Sequence, residues 1–131
     1  MSDGLFTLRS RKSVPETIDR LAELVTSKGM TVFARIDHAA NARQVSMELR
    51  PTELLVFGHP RGGTPLMQAR QTIGIDLPIH ALAWEDASGS VRVTFNDPAW
   101  LARRHGLPDE TNAAVQAMSE GIAALQKALS G

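Results

Sequence analysis

Three short stretches hold most of the residues that could do chemistry: Asp37-His38, the segment FGHPRGGTPLM at Phe57–Met67, and Asp76. In the second stretch, adjacent Gly62 and Gly63 free the backbone for conformations that other residues resist. Thr64-Pro65 follows with the pattern of a helix cap and first turn, which predicts a helix start directly after the glycines. Unpaired N–H groups at a helix start, with the positive end of its dipole, hold anions such as phosphate or carboxylate. Arg61 would add charge, so Gly58, His59, Arg61, Gly63 and Thr64 form a candidate anion or small-molecule site. The same residues also suit a plain strand-to-helix connection, with glycine for the turn and threonine for the cap. No Gly-Lys-Ser/Thr follows, so the segment is not a Walker loop, and its glycine spacing is not that of a dinucleotide-binding fingerprint.

His38, His59 and His80 each stand near a strand end. Convergent imidazoles bind zinc, but no pair has H-x-x-x-H spacing, so no metal is expected and surface or hydrogen-bonded histidines are the plainer reading. His38 and His59 share a sheet edge if their strands run parallel, and lie at opposite edges if they run antiparallel. Asp37 could orient His38 as a general base only where the strand has already ended, because neighbours in a strand point to opposite faces. Otherwise Asp37 and Asp76 are turn and cap carboxylates. No serine sits in a nucleophile elbow. Trp84, Trp100 and Arg103-Arg104-His105 could stack on and contact nucleobases, but aromatics form 5% of the chain and tyrosine is absent. That cluster reads better as a solvated helical face with Trp100 packed beneath it.

The elements that must position these residues follow from periodicity. Leu5–Ser10 alternates and reads as a strand. Ser13 and Glu16 have capping-box spacing, Pro15 lies in the first turn, and Val14, Ile18, Leu21 and Val25 form one helical stripe that Gly29 ends. Met30, Val32, Ala34 and Ile36 alternate in a second strand ending at Asp37-His38, and His38–Met47 reads as a short helix broken by Pro51. Leu54–Phe57 is a continuous apolar run, which predicts a central strand buried on both faces. A helix capped by Thr64, starting at Pro65 and running to about Thr72, closed by Gly74, precedes the Asp76-Leu77-Pro78 turn. Ile79–Glu85 and Val91–Phe95 form a hairpin across ASGS. A short helical piece carries Trp100 to Arg104, and Asp109 opens the longest helix, with Val115, Met118, Ile122, Leu125 and Leu129 on one face. Gly121 interrupts that helix, which suggests close packing there on the sheet or on another subunit. Five strands and two long amphipathic helices predict an α+β fold: a mostly antiparallel five-stranded sheet, in β-α-β4-α order, with both long helices on one face.

The 131 residues suit one domain over 1–131, and no repeat or linker divides them. Fourteen basic and 14 acidic side chains leave no net charge, which disfavours nucleic acid as a partner. The absence of cysteine removes disulfides, thiolate metal sites and cysteine nucleophiles. The amino terminus lacks the charged start and apolar run of a signal peptide, and no apolar stretch approaches the roughly 20 residues that span a bilayer, so the expectation is a cytoplasmic protein without a membrane partner. No motif names a cofactor.

ARIDHAANA at Ala34–Ala42, LRPTELLVFGHPRGGTPLMQ at Leu49–Gln68, IDLPIHALAWED at Ile75–Asp86 and FNDPAWLARRHGL at Phe95–Leu107 together resemble domain-of-unknown-function family 302. The resemblance runs from about Phe6 to the final helix, as ungapped blocks in order. It implies a small prokaryotic-type domain of the TATA-binding-protein-like fold class and a homodimer, with no established activity. Asp37, His38, Gly58, Pro60, Gly63, Thr64, Pro65, Met67, Asp76, Leu77 and Pro78 fall on the family's motif positions. His59 stands where asparagine is common, so the resemblance implies no metal role for it. The expectation is a homodimeric binding module for a small molecule or anion, built from Asp37, His38, the Gly58–Met67 loop and Asp76. The alternatives are an enzyme with His38 as general base and the loop as anion site, and an interaction module without a ligand.

Overall fold

The computed structural model describes residues 3–130. Five strands, β1 (Leu5–Ser10), β2 (Thr31–Asp37), β3 (Thr52–Gly58), β4 (Ile79–Glu85) and β5 (Val91–Asn96), form a single antiparallel sheet in the order β1-β5-β4-β3-β2. The long helices are α1 (Val14–Ser27) and α5 (Asn112–Ser130), and both cover the same face. Three shorter helices, α2 (His38–Gln44), α3 (Pro60–Ala69) and α4 (Pro98–Arg104), fill the connections.

The capping box that starts α1 is present: Ser13 Oγ accepts the Glu16 N–H at 3.3 Å, and Glu16 Oε1 accepts the Ser13 N–H at 3.4 Å. Its stripe of Ile18, Leu21 and Val25 packs with Leu55 and Phe57 of β3, Val93 and Phe95 of β5, and Ile122 and Leu125 of α5. Ala81 and Ala83 supply the inner face of central β4, and both are fully buried. Their small side chains let α1 lie close over the middle of the sheet. A second cluster of Leu66, Ile73, Leu101 and Val115 joins α3, the 3₁₀ turn Gln71–Ile75 and α4 to the first half of α5.

The run Leu54–Phe57 behaves differently from the expectation of burial on both faces. Leu55 and Phe57 are fully buried, whereas Leu54 and Val56 are only partly so. The strand is interior to the sheet, but helices cover one face of it. On the other face Leu54 registers with Leu82 and Ile36, so neighbouring apolar side chains shield one another across the ladders.

One glycine is required by both backbone and space. Gly4 has φ +87°, and a Cβ there would lie 2.5 Å from the Trp100 ring. Trp100 therefore packs under the start of β1, as a tryptophan beneath α4. Gly4→Ala is expected to destabilise the fold by about 2 kcal/mol or more, from left-handed strain and displacement of the indole, read as a lowered melting temperature.

Candidate functional site

The segment Phe57–Met67 folds as the end of a strand and a helix, with no intervening loop. β3 ends at Gly58, His59 is the N-cap, and α3 begins at Pro60. The expected cap at Thr64 and start at Pro65 are thus five residues late. Pro60 takes the first helical position, where a missing N–H is harmless, and His59 Nδ1 accepts the Arg61 N–H at 3.1 Å. Gly62 and Gly63 both donate to the His59 carbonyl, at 2.8 and 3.3 Å. The first-turn donors are therefore already engaged, and Thr64 is not the cap. Gly62 and Gly63 have ordinary helical backbones, since neither has positive φ. What they contribute is a missing side chain: a Cβ on Gly62 meets nothing within 4 Å.

That missing volume opens into a groove of about 580 Å³ between α3 and α5. Its wall is largely apolar, from Met30, Phe33, Met67, Leu77, Ile79 and Met118. Gly62, Gly63 and Gly121 also line it. A Cβ on Gly121 likewise meets nothing within 4 Å, so the mid-helix glycine faces open space rather than a close-packed neighbour. His59, Arg61 and Thr64 supply polar side chains to the same lining. Because His59 Nδ1 accepts a hydrogen bond, the neutral ring carries its proton on Nε2 and presents a donor. Among the described residues no carboxylate pairs with Arg61.

Asp37 and His38 lie elsewhere. β2 runs antiparallel to β3, with Asp37 opposite Glu53 and Thr31 opposite Gly58. Asp37 and Gly58, the last residues of β2 and β3, therefore lie about 17 Å apart along the strand direction, and the histidines that follow them stand at opposite ends of the ladder. The Asp37 carboxylate is a cap: Oδ1 accepts the Ala40 N–H of α2 at 2.8 Å. His38 is the first residue of that helix.

Asp76 follows the 3₁₀ turn and belongs to a different constellation. His105 Nε2 lies 2.6 Å from Asp76 Oδ2, and Arg104 Nη1 donates to both carboxylate oxygens at 3.1 Å. Thr72 Oγ1 sits 3.1 Å from His105 Nδ1. This network ties the turn after α3 to the end of α4. Sequence reading placed Arg104 and His105 on a solvated face, and nothing local to either stretch signals their pairing with Asp76. Among the described residues no three His, Cys, Asp or Glu side chains are placed to hold a metal ion.

His80, on the helix-free face of β4, is partly buried. Burial lowers its pKa below the ordinary imidazole value, and nearby Asp76 offsets only part of this. The unfolded chain then takes up the proton first as pH drops. The His80 contribution to stability is complete above about pH 6.5 and falls as pH is lowered through that value toward the folded-state pKa. His80→Gln is expected to flatten the stability profile between about pH 7.5 and about pH 5, measured by urea unfolding beside the unmodified chain.

The model of the family described as "Domain of unknown function DUF302" matches residues 6–125. The chain belongs to this family. A crystal structure of an uncharacterised conserved DUF302 protein from Bacillus stearothermophilus superposes with a TM-score of 0.86 at 16% identity, covering 98% of this chain and 99% of that one. This shared fold is the α+β arrangement expected from the resemblance. Proteins named "Fluoride-specific ion channel FluC 1" from Brucella suis biovar 1 and Brucella abortus biovar 1 are each 52% identical over all 131 residues. A Brucella melitensis biotype 1 protein named "Fluoride-specific ion channel FluC 2" is equally similar. The DUF302 chain spans about half the length of these curated relatives, 48–52%. Among the described residues no helix is long and apolar enough to cross a membrane.

Proposed function

We propose that this DUF302 domain binds a small amphipathic anion, with an apolar body and one carboxylate or phosphate, in the groove between α3 and α5. The observation that carries this reading is the groove's composition. Methionines, Phe33 and Leu77 offer an adaptable apolar wall, three glycines keep it open, and Arg61 and His59 add a cation and an N–H donor to the lining. The body of such a ligand would be desolvated along the wall while its charge meets the exposed Arg61 and His59, near solvent.

The channel name of the Brucella relatives fits the other half of those chains better than this one. A strongly hydrated ion such as fluoride is also poorly matched to an apolar groove. Self-association is supported by the exposed Val32 and Phe33 on edge strand β2, whose outer rim has no neighbouring strand. Light scattering on the purified chain reads a dimer mass if β2 edges pair and a monomer mass if they do not. Catalysis by His38 with an anion at α3 is disfavoured, since the two lie at opposite ends of the β2–β3 ladder.

A thermal-shift screen with octanoate, phenyl phosphate, orthophosphate and divalent metal salts tests the binding proposal. Amphipathic anions should stabilise the chain, by about 2.7 kcal/mol at 100 times the dissociation constant. Stabilisation by orthophosphate or metal but by neither amphipathic probe would refute it.

A further inference from the structure

A second groove, of about 1020 Å³, lies at the opposite end of the molecule. The apolar groove touches Ile79 at the start of β4 and Met118 in the first half of α5, whereas this one touches Glu85 at the end of β4 and Ser130 at the end of α5. Its walls are the β1–α1 connection and the β4–β5 hairpin. Arg9, Arg11, Lys12 and Arg20 line it, against the single carboxylate of Glu85. That four-to-one imbalance occurs in a chain whose 14 basic and 14 acidic side chains sum to no net charge.

The imbalance is not relieved locally. Arg35, Arg92 and Arg104 each have a carboxylate within 3.1 Å. Among the described residues Arg9, Arg11 and Lys12 have none, and Arg20 reaches only the exposed Glu23, at 3.7 Å. Like charges held in one concavity focus a positive potential that attracts multivalent anions. No aromatic side chain lines the groove, so it offers no stacking platform for a base. Ser88, Gly89 and Ser90 form the facing hairpin wall; the Ser88 hydroxyl donates to Asp86 Oδ1 at 2.6 Å, which leaves the Ser90 hydroxyl as the donor on that side. The volume far exceeds a lone phosphate and suits an extended anion.

We propose that this basic groove binds an oligophosphate chain, gripped by Arg9, Arg11, Lys12 and Arg20. The probe is sodium tripolyphosphate, titrated calorimetrically into the full chain beside orthophosphate at matched ionic strength. Tripolyphosphate should bind at least about tenfold more tightly, because it engages several charge-assisted hydrogen bonds at once. Arg11→Gln/Lys12→Gln should weaken it by about tenfold or more, and Glu85→Gln should tighten it. Arg11 and Lys12 are exposed and Glu85 is half-buried, and unchanged melting temperatures verify the fold of each variant. Equal affinity for the two phosphates, no effect of the Arg11/Lys12 double variant, or binding confined to anionic vesicles or duplex DNA would each overturn the assignment.

Discussion

Arg35→Met is expected to lower the unfolding free energy by about 2–3 kcal/mol. Arg35 Nε donates to Glu53 Oε1 at 2.8 Å, Nη1 to Asp19 Oδ1 at 2.6 Å, and Nη2 to the Pro15 carbonyl at 3.2 Å. One guanidinium thus fastens the first turns of α1 to β2 and β3. Burial works against its charge, but the hydrogen bonds to Asp19 and Glu53 outweigh this and its pKa lies above the ordinary value. The Glu53 side chain is 7% exposed and would be left inside without a counter-charge. Breaking a fully buried pair typically costs about 3–5 kcal/mol. The Arg35 side chain is itself 37% exposed, so water softens the loss, and the expected value lies below that range. Arg35→Met/Glu53→Leu should recover most of the stability, because two apolar side chains leave no orphaned charge. Urea unfolding of the two singles and the double checks this. A double variant no better than Arg35→Met would show that packing of the guanidinium, and not its pairing, holds the corner together.

Gly121→Leu is expected to abolish binding of an amphipathic anion while the fold survives. The position is solvent-open on a helix, so a side chain can grow into the groove without meeting another element. Gly121→Ala separates the two effects. Alanine in a helix interior is favoured over glycine by about 0.5–1 kcal/mol, and here nothing opposes the gain. The melting temperature should rise with Ala, whereas octanoate affinity should fall modestly with Ala and by more than about tenfold with Leu. A chain that becomes more stable as it loses its ligand would indicate that glycine is kept there for the groove. Loss of stability with Ala would mean that Gly121 meets a partner surface in solution.

The legible parts of the fold were those with local signals. The Ser13–Glu16 box, the Ile18-Leu21-Val25 stripe and the ASGS hairpin each act within a few residues, and each appears where periodicity placed it. The start of α3 was misplaced because two prolines compete for the same role. Thr64-Pro65 carries the commoner cap signature, but His59 supplies an acceptor and Pro60 takes the first position. Helix formation from Pro60 turns Gly62 and Gly63 from turn residues into a gap in a wall. The pairing of Asp76 with His105 spans 29 residues and leaves no trace in either local pattern. The groove depends on how α3 meets α5, which no periodicity reports. Gly121 was its one visible sign, a glycine in an otherwise well-formed helix that reads from sequence as close packing and instead borders open space. Asp37-His38 stood out chemically in the sequence, yet it serves as the cap and first turn of α2, away from the groove.

Chemical-shift mapping of the isotope-labelled chain tests the central claim most directly, because glycine amides fall in a spectral region of their own. On titration with octanoate, the amides of Gly62, Gly63 and Gly121 should move together along one saturable curve, with Met67 and Leu77 following and Gly89 unmoved. Perturbation centred on Leu54 and Leu82 of the helix-free face, or no saturable shift of the three groove glycines, would contradict a binding groove between α3 and α5.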